Sequence, residues 1–220
     1  MNRNFRGWAV ALLCFALSLA AAACGQGANS NSESEDGGAS ANVRTGVKPE
    51  ADAEAAVIET DYGRIVIELY SNVAPQMVAR FKKLAGEGFY NGTTIHRIDP
   101  ELGIIQGGDP NSKDDNPAND GMGNSGEPNL PAEFSDIEYE RGTVGAARAQ
   151  AENSANSQFY ITLKRQPAFD KRYTVFGRVI EGINNADIIS TAPVAEGAPD
   201  RPADKILVKS VTLAPRANFK

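Results

Sequence analysis

The stretch from Val57 to Tyr70, Val-Ile-Glu-Thr-Asp-Tyr-Gly-Arg-Ile-Val-Ile-Glu-Leu-Tyr, does most to limit the folds open to this chain. Two β-branched runs flank Asp61-Tyr62-Gly63-Arg64, a hairpin turn carrying a glycine. In the second run Ile65, Ile67 and Leu69 take one face and Glu68 the other, the two-residue period of a half-buried sheet. Further runs rich in small, β-branched or aromatic residues follow at Arg141 to Ala147, Gln158 to Thr162, Thr174 to Ile180 and Ile206 to Leu213. Two helices interrupt them. Ala74-Pro75 opens the first, because proline suits a first helical turn. Val78, Phe81 and Leu84 or Ala85 form its apolar stripe, and Gly86 and Gly88 end it. Arg80, Lys82 and Lys83 lie mostly off that stripe and are expected to be solvated. A shorter helix follows Gly182, with Ile183, Ala186, Asp187, Ile188 and Ile189. Many strands with two helices far apart predict a mainly β fold, a closed antiparallel barrel capped by helices. No internal repeat is visible.

The ordered domain is expected over residues 56–214, with 215–220 a loose tail. Residues 1–23 have the layout of a secretory signal: Arg3 and Arg6, an apolar run from Gly7 to Ala23, then Cys24. That run is short for a membrane-spanning helix. Leu19-Ala20-Ala21-Ala22-Ala23-Cys24 resembles a bacterial lipobox, in which the cysteine becomes the lipidated first residue. This places the protein on the extracytoplasmic face of a bacterial membrane, held through a lipid on Cys24. Residues 24–55 are dominated by Gly, Ser, Asn, Ala and acidic side chains with no aromatic residue, so they are expected to form a disordered tether. Cys14 leaves with the leader, so the mature chain has no cysteine pair and no disulfide. The formal net charge is −6, and −8 for the side chains once Arg3 and Arg6 are gone, which argues against a nucleic-acid partner. Nothing in the sequence calls for more than a monomer.

The chemistry concentrates in Thr94-Ile95-His96-Arg97-Ile98-Asp99-Pro100-Glu101-Leu102-Gly103-Ile104-Ile105-Gln106-Gly107-Gly108-Asp109. Arg97 and Gln106 sit on either side of a turn, so two polar heads can converge on an apolar surface. Asp114, Asp115, Asn116, Asn119 and Asp120 lie in a polar loop without EF-hand spacing or its bidentate glutamate, so no metal site is expected there.

Together with Ser157-Gln158-Phe159-Tyr160-Ile161 and Tyr173-Thr174-Val175-Phe176-Gly177-Arg178-Val179, this segment closely resembles the cyclophilin family of peptidyl-prolyl isomerases, from about Val57 to Leu213. The resemblance implies an eight-stranded antiparallel barrel with a helix at each end and a peptide groove on its outside. It also implies interconversion of cis and trans X–Pro bonds in unfolded or newly exported polypeptides. The alternative is a weakly active proline-peptide binding module using the same groove. Rotation about such a bond meets a barrier of roughly 18–20 kcal/mol from lost amide resonance, and breaks no bond. No nucleophile, metal or cofactor is therefore required. Moving from tens of seconds to about 10³ turnovers per second needs roughly 7 kcal/mol of differential stabilisation.

By the same resemblance Arg97 is the catalytic arginine, donating to the proline nitrogen as it pyramidalises. Gln106 anchors the substrate carbonyl and helps hold the arginine. Ile104, Tyr160 and Phe169 line the proline pocket, Ala147 and Arg148 form the edge that pairs with the substrate main chain, and Gln158 and Tyr173 complete the groove. His96 is expected to support Arg97 structurally, since isomerisation needs no proton transfer. Phe159, alternating away from Tyr160, is expected in the core. The family's pocket phenylalanine would fall on Gly103, but an extra residue in Asp99-Pro100-Glu101-Leu102 leaves Leu102 as the other candidate. Ala168 stands where some relatives carry a tryptophan that binds cyclosporin, so weak binding of that drug is expected.

Overall fold

The computed structural model describes residues 42–220. The leader, Cys24 and most of the expected tether lie outside the described residues. The hairpin that opens the domain pairs β1 (Glu54–Thr60) with β2 (Gly63–Leu69). Gly63 has φ +105°, a conformation that side-chain-bearing residues rarely adopt, and this is what the turn requires. The chain continues through α1 (Pro75–Gly86), β3 (Ile95–Asp99), β4 (Ile104–Gly107), β5 (Thr143–Ala146), β6 (Phe159–Thr162), β7 (Val175–Glu181) and α2 (Ile183–Ser190). A two-stranded hairpin of β8 (Val194–Ala195) and β9 (Ala198–Pro202) follows, and β10 (Val208–Pro215) ends the sheet.

Eight strands form one antiparallel sheet in the order β10-β1-β2-β7-β5-β6-β4-β3. The sheet curls, but it is not the closed barrel expected from the sequence. Its two ends meet at one bridge, Thr94 with Leu207, supported by Ile95 N–H to the Ile206 carbonyl (2.9 Å) and Val208 N–H to the Thr93 carbonyl (2.8 Å). These contacts reach no further than the first residue of β10 and the first residue of β3, so no ladder forms there. Closure of a barrel demands a stagger sustained along both edge strands, and here the overlap is too short.

The concave side of the sheet and both helices share one core. Met77, Val78, Phe81, Leu84 and Ala85 from α1 meet Ile58, Ile65, Ile67 and Leu69, and Ala186 and Ile189 bring α2 into the same cluster. Phe81 is fully buried, with ring centroids 5.1 Å from Tyr90, 5.6 Å from Phe159 and 5.4 Å from Phe176. Ala74 offers α1 no side-chain cap, so a distant carboxylate does this work: Glu133 accepts from the Gln76 and Met77 amides at 3.0 Å each.

One side chain and two boundaries differ from the sequence expectation. Arg80 is buried rather than solvated; its guanidinium pairs with Glu127 (3.1 Å) and donates to the Pro128 carbonyl (3.1 Å), so its apolar stem crosses the helix face while its head fixes a loop. Residues 42–53 are not free tether. Arg44 N–H donates to the Phe134 carbonyl (2.9 Å), Asp52 N–H to the Leu69 carbonyl (2.8 Å), and the Asp52 carboxylate pairs with Lys82 (2.7 Å). Nor is the tail loose: Arg216 pairs with Glu68 (3.0 Å), donates its amide to the Ala53 carbonyl (2.8 Å), and Phe219 packs on the convex face with Val57 and Val66. Polar composition hides both segments because their order comes from backbone groups finding distant partners rather than from apolar periodicity.

Candidate active site

Two-residue alternation positions the site. On β3, Ile98 points into the core while Arg97 and Asp99 share the opposite face. Gln106 on β4 stands directly across from Arg97, and Tyr160 on β6 directly across from Gln106. Phe159, one residue earlier, turns into the core and is 2 % exposed. A cavity of about 480 Å³ opens over Tyr160; its walls include Leu102, Ile104, Phe169 and Tyr173, and its rim includes Arg97, Gln106, Ala147 and Arg148.

Rings make the floor stiff. Tyr160 stacks on buried Tyr139 with centroids 5.9 Å apart, and takes Phe169 (5.5 Å) and Tyr173 (6.0 Å) edge-on. Arg148 caps Tyr173, its Cζ 4.6 Å from the ring centroid. Burial pushes the Tyr139 and Tyr160 hydroxyls well above their ordinary range, so both stay neutral. Gly145, across from Tyr160, makes room for this pair: a Cβ there would lie 2.5 Å from the Tyr160 hydroxyl and 2.6 Å from that of Tyr139. Gly145→Ala should therefore tilt the floor, costing about 1–3 kcal/mol of stability and raising KM for a proline peptide. Thermal unfolding and steady-state rates on the same preparation check both effects.

Of Leu102 and Gly103, in the turn between β3 and β4, the structure brings Leu102 to the cavity. Leu102 lines the cavity and packs with Ile104, Tyr160 and Phe169. Gly103 has φ +71°, and a Cβ there would strike the Lys164 side chain at 2.7 Å, so it faces away.

The polar groups are arranged differently from the expectation at Gln106 and at Gln158. Gln106 does not hold Arg97; its Nε2 donates to Gln158 Oε1 (3.0 Å). Gln158 in turn donates to the carbonyls of Gly121 (3.0 Å) and Gly123 (2.9 Å). It belongs to an adjoining cavity of about 270 Å³ rather than to the first, and it ties the Asn111–Asn129 loop to the sheet. Arg97 is held instead by two carboxylates: Nη2 meets Asp99 Oδ2 at 3.0 Å, and Nε meets Asp200 Oδ2 at 3.0 Å. Among the described residues its Nη1 has no protein partner. Neither acid was singled out from the sequence; for Asp99 the signal was there, since it lies two residues along the same strand face. For Asp200 there was none, because the β8–β9 hairpin that delivers it is, after Val194, made of Ala, Pro, Gly and charged residues without alternation.

His96 is 7 % exposed, and neither ring nitrogen has a hydrogen-bond partner among the described residues. It lines the cavity beside Arg97 without bonding to it, so any support it gives is by packing. Burial pushes its imidazole below the ordinary value, against the opposing pull of Asp109, and leaves it neutral at pH 7. Ala147 donates its amide to the Gln158 carbonyl (3.0 Å). Ala168 is exposed beside the cavity and is not among its lining residues. Among the described residues no group of three or more His, Cys, Asp or Glu side chains could hold a metal ion.

The family model for "Cyclophilin type peptidyl-prolyl cis-trans isomerase/CLD" matches residues 55–213. A probable peptidyl-prolyl cis-trans isomerase of Brucella suis is 41 % identical over 166 residues, covering 73 % of this chain and 84 % of that protein. A peptidyl-prolyl cis-trans isomerase of Schizosaccharomyces pombe is 32 % identical over 162 residues, covering 71 % of this chain and 97 % of its own length. Among solved structures, a Cryptosporidium parvum cyclophilin crystallised in the presence of the dipeptide Ala-Pro aligns with a TM-score of 0.65 at 27 % identity. That alignment covers 74 % of this chain and 99 % of that one.

Proposed function

Because this chain belongs to the cyclophilin-type peptidyl-prolyl cis-trans isomerases and catalyses that reaction, we propose that the cavity over Tyr160 receives the proline ring and that Arg97 stabilises the twisted amide. The observation that carries this reading is the unpartnered Nη1 end of an otherwise tethered guanidinium at the rim of an aromatic-floored cavity.

As the X–Pro bond twists, the nitrogen loses conjugation and gains a lone pair. A guanidinium N–H donates to that lone pair and finds little to donate to in the planar ground state, so the interaction favours the transition state. Leu102, Ile104, Phe169 and Tyr173 grip the ring by apolar contact. Gln106, steadied by Gln158, has an amide oxygen and a second N–H for the flanking backbone, and Ala147 and Arg148 take the peptide along the rim. Held at both sides, the chain can rotate only about the amide. His96, neutral and buried, exchanges no proton. The experiment is a protease-coupled isomerisation assay on a short proline peptide, comparing wild type with Arg97→Ala. Unchanged activity in the variant removes Arg97 from the reaction.

The leader and Cys24 support a lipid-anchored protein on the extracytoplasmic face of a bacterial membrane, acting as a monomer on newly exported chains. Mass spectrometry of the mature N-terminus should find a lipidated Cys24; an unmodified chain beginning elsewhere overturns the anchor.

A further inference from the structure

We infer that Asp200, on the β8–β9 hairpin, is a positioning residue for the isomerase reaction, acting with Asp99 as a two-carboxylate bracket on Arg97. This rests on the assignment of Arg97 to the twisted amide. Both carboxylates engage one edge of the guanidinium, Asp200 through Nε and Asp99 through Nη2, each at 3.0 Å. The plane of the group is thereby fixed, and Nη1 is the end left for substrate. A single carboxylate would leave the guanidinium free to swing about its contact; two from different elements do not.

The two acids are tied down to different degrees. Asp99 closes the turn after β3, its Oδ1 accepting from the Leu102 amide at 2.8 Å, and its side chain is 21 % exposed. The Asp200 side chain is 51 % exposed and, among the described residues, has no partner besides Arg97. It comes from a hairpin outside the eight-stranded sheet, turned at Gly197 with φ +73°. The hairpin's Ala198, Asp200 and Arg201 line the same cavity as Arg97. The arrangement does something the rest of the site does not: Gln106 turns its Nε2 to Gln158 and makes no bond to Arg97, so among the described residues the two acids alone hold the guanidinium.

Exposed ion pairs shift equilibria by factors of about 1.5 to 5, and salt screens them. On an uncharged proline peptide, Asp200→Asn should lower kcat about threefold with KM nearly unchanged. Asp99→Asn combined with Asp200→Asn should lower it about tenfold. Asparagine keeps the shape and an acceptor oxygen, so a thermal unfolding profile like that of wild type is expected. The wild-type kcat should also fall as salt rises from about 10 mM to about 1 M, where the screening length shrinks from about 30 to about 3 Å, while the double variant should be insensitive. A loss confined to KM, a gain in kcat, or equal salt sensitivity in the two proteins overturns the bracket. Arg97→Ala in the same assay separates the failures: if it is inactive while Asp200→Asn is fully active, only the bracket falls. If Arg97→Ala is fully active, the reading of the site falls with it.

Discussion

Arg97→Ala lowers kcat/KM for a short proline peptide by about two orders of magnitude, measured by coupled proteolysis of the trans isomer. The size follows from the bond removed. A hydrogen bond from a charged donor contributes roughly 3 kcal/mol, and each 1.36 kcal/mol is a factor of ten in rate. The loss should fall on kcat, because the lone pair that Arg97 addresses does not exist in the planar ground state. The cavity over Tyr160 remains in the variant, so peptide affinity should change little and residual catalysis should exceed the spontaneous rate. Arg97→Lys keeps a positive charge but not the planar fork that two carboxylates orient, so it should recover less than one of the two lost decades. A fall in affinity with kcat intact would mean that Arg97 merely binds.

The second large effect lies away from the chemistry. Phe81→Ala should destabilise the domain by about 3–5 kcal/mol, read from the denaturant midpoint at unchanged m-value. The ring has no exposed surface and touches three other aromatic rings from three different segments, so neighbours cannot collapse into the space without moving strands. That is a large share of the 5–15 kcal/mol typical of a whole domain. At low temperature, where the variant is still folded, its turnover per molecule should match wild type, since Phe81 packs on the concave side of the sheet and the cavity opens on the other. A loss below about 1 kcal/mol would show that the aromatic cluster is not where the core is tight.

Much of this was legible in local pattern. The two-residue period fixed which of Phe159 and Tyr160 faces the core, and Pro75 and Gly86 mark the ends of α1. The site residues clustered in sequence because β3, its turn and β4 carry Arg97, Leu102, Ile104 and Gln106 on adjacent strands. What escaped is what depends on partners far along the chain. Arg80 looks solvated by its helical position, but Glu127 and Pro128 come to it. Residues 42–53 look like linker by composition, and their order rests on backbone amides meeting carbonyls of other segments. Asp200 sits in a stretch with no apolar period, so nothing local points it at Arg97. Barrel closure was overestimated for a related reason: strand count and sequence spacing say nothing about how far two edge strands overlap.

Strand order also has a consequence in time. β1, near the start of the domain, lies between β2 and β10, and Glu54 pairs with Pro215. During synthesis the chain can form the β1–β2 hairpin early, but one edge of β1 stays open until β10 has emerged. Pairings so distant in sequence are slow to form, and exposed edges invite wrong partners meanwhile. A nascent chain stopped before residue 208 lacks the strand that covers that edge, so the domain matures only after its synthesis is complete. An enzyme that removes a slow step from the folding of other chains is thus itself a late finisher.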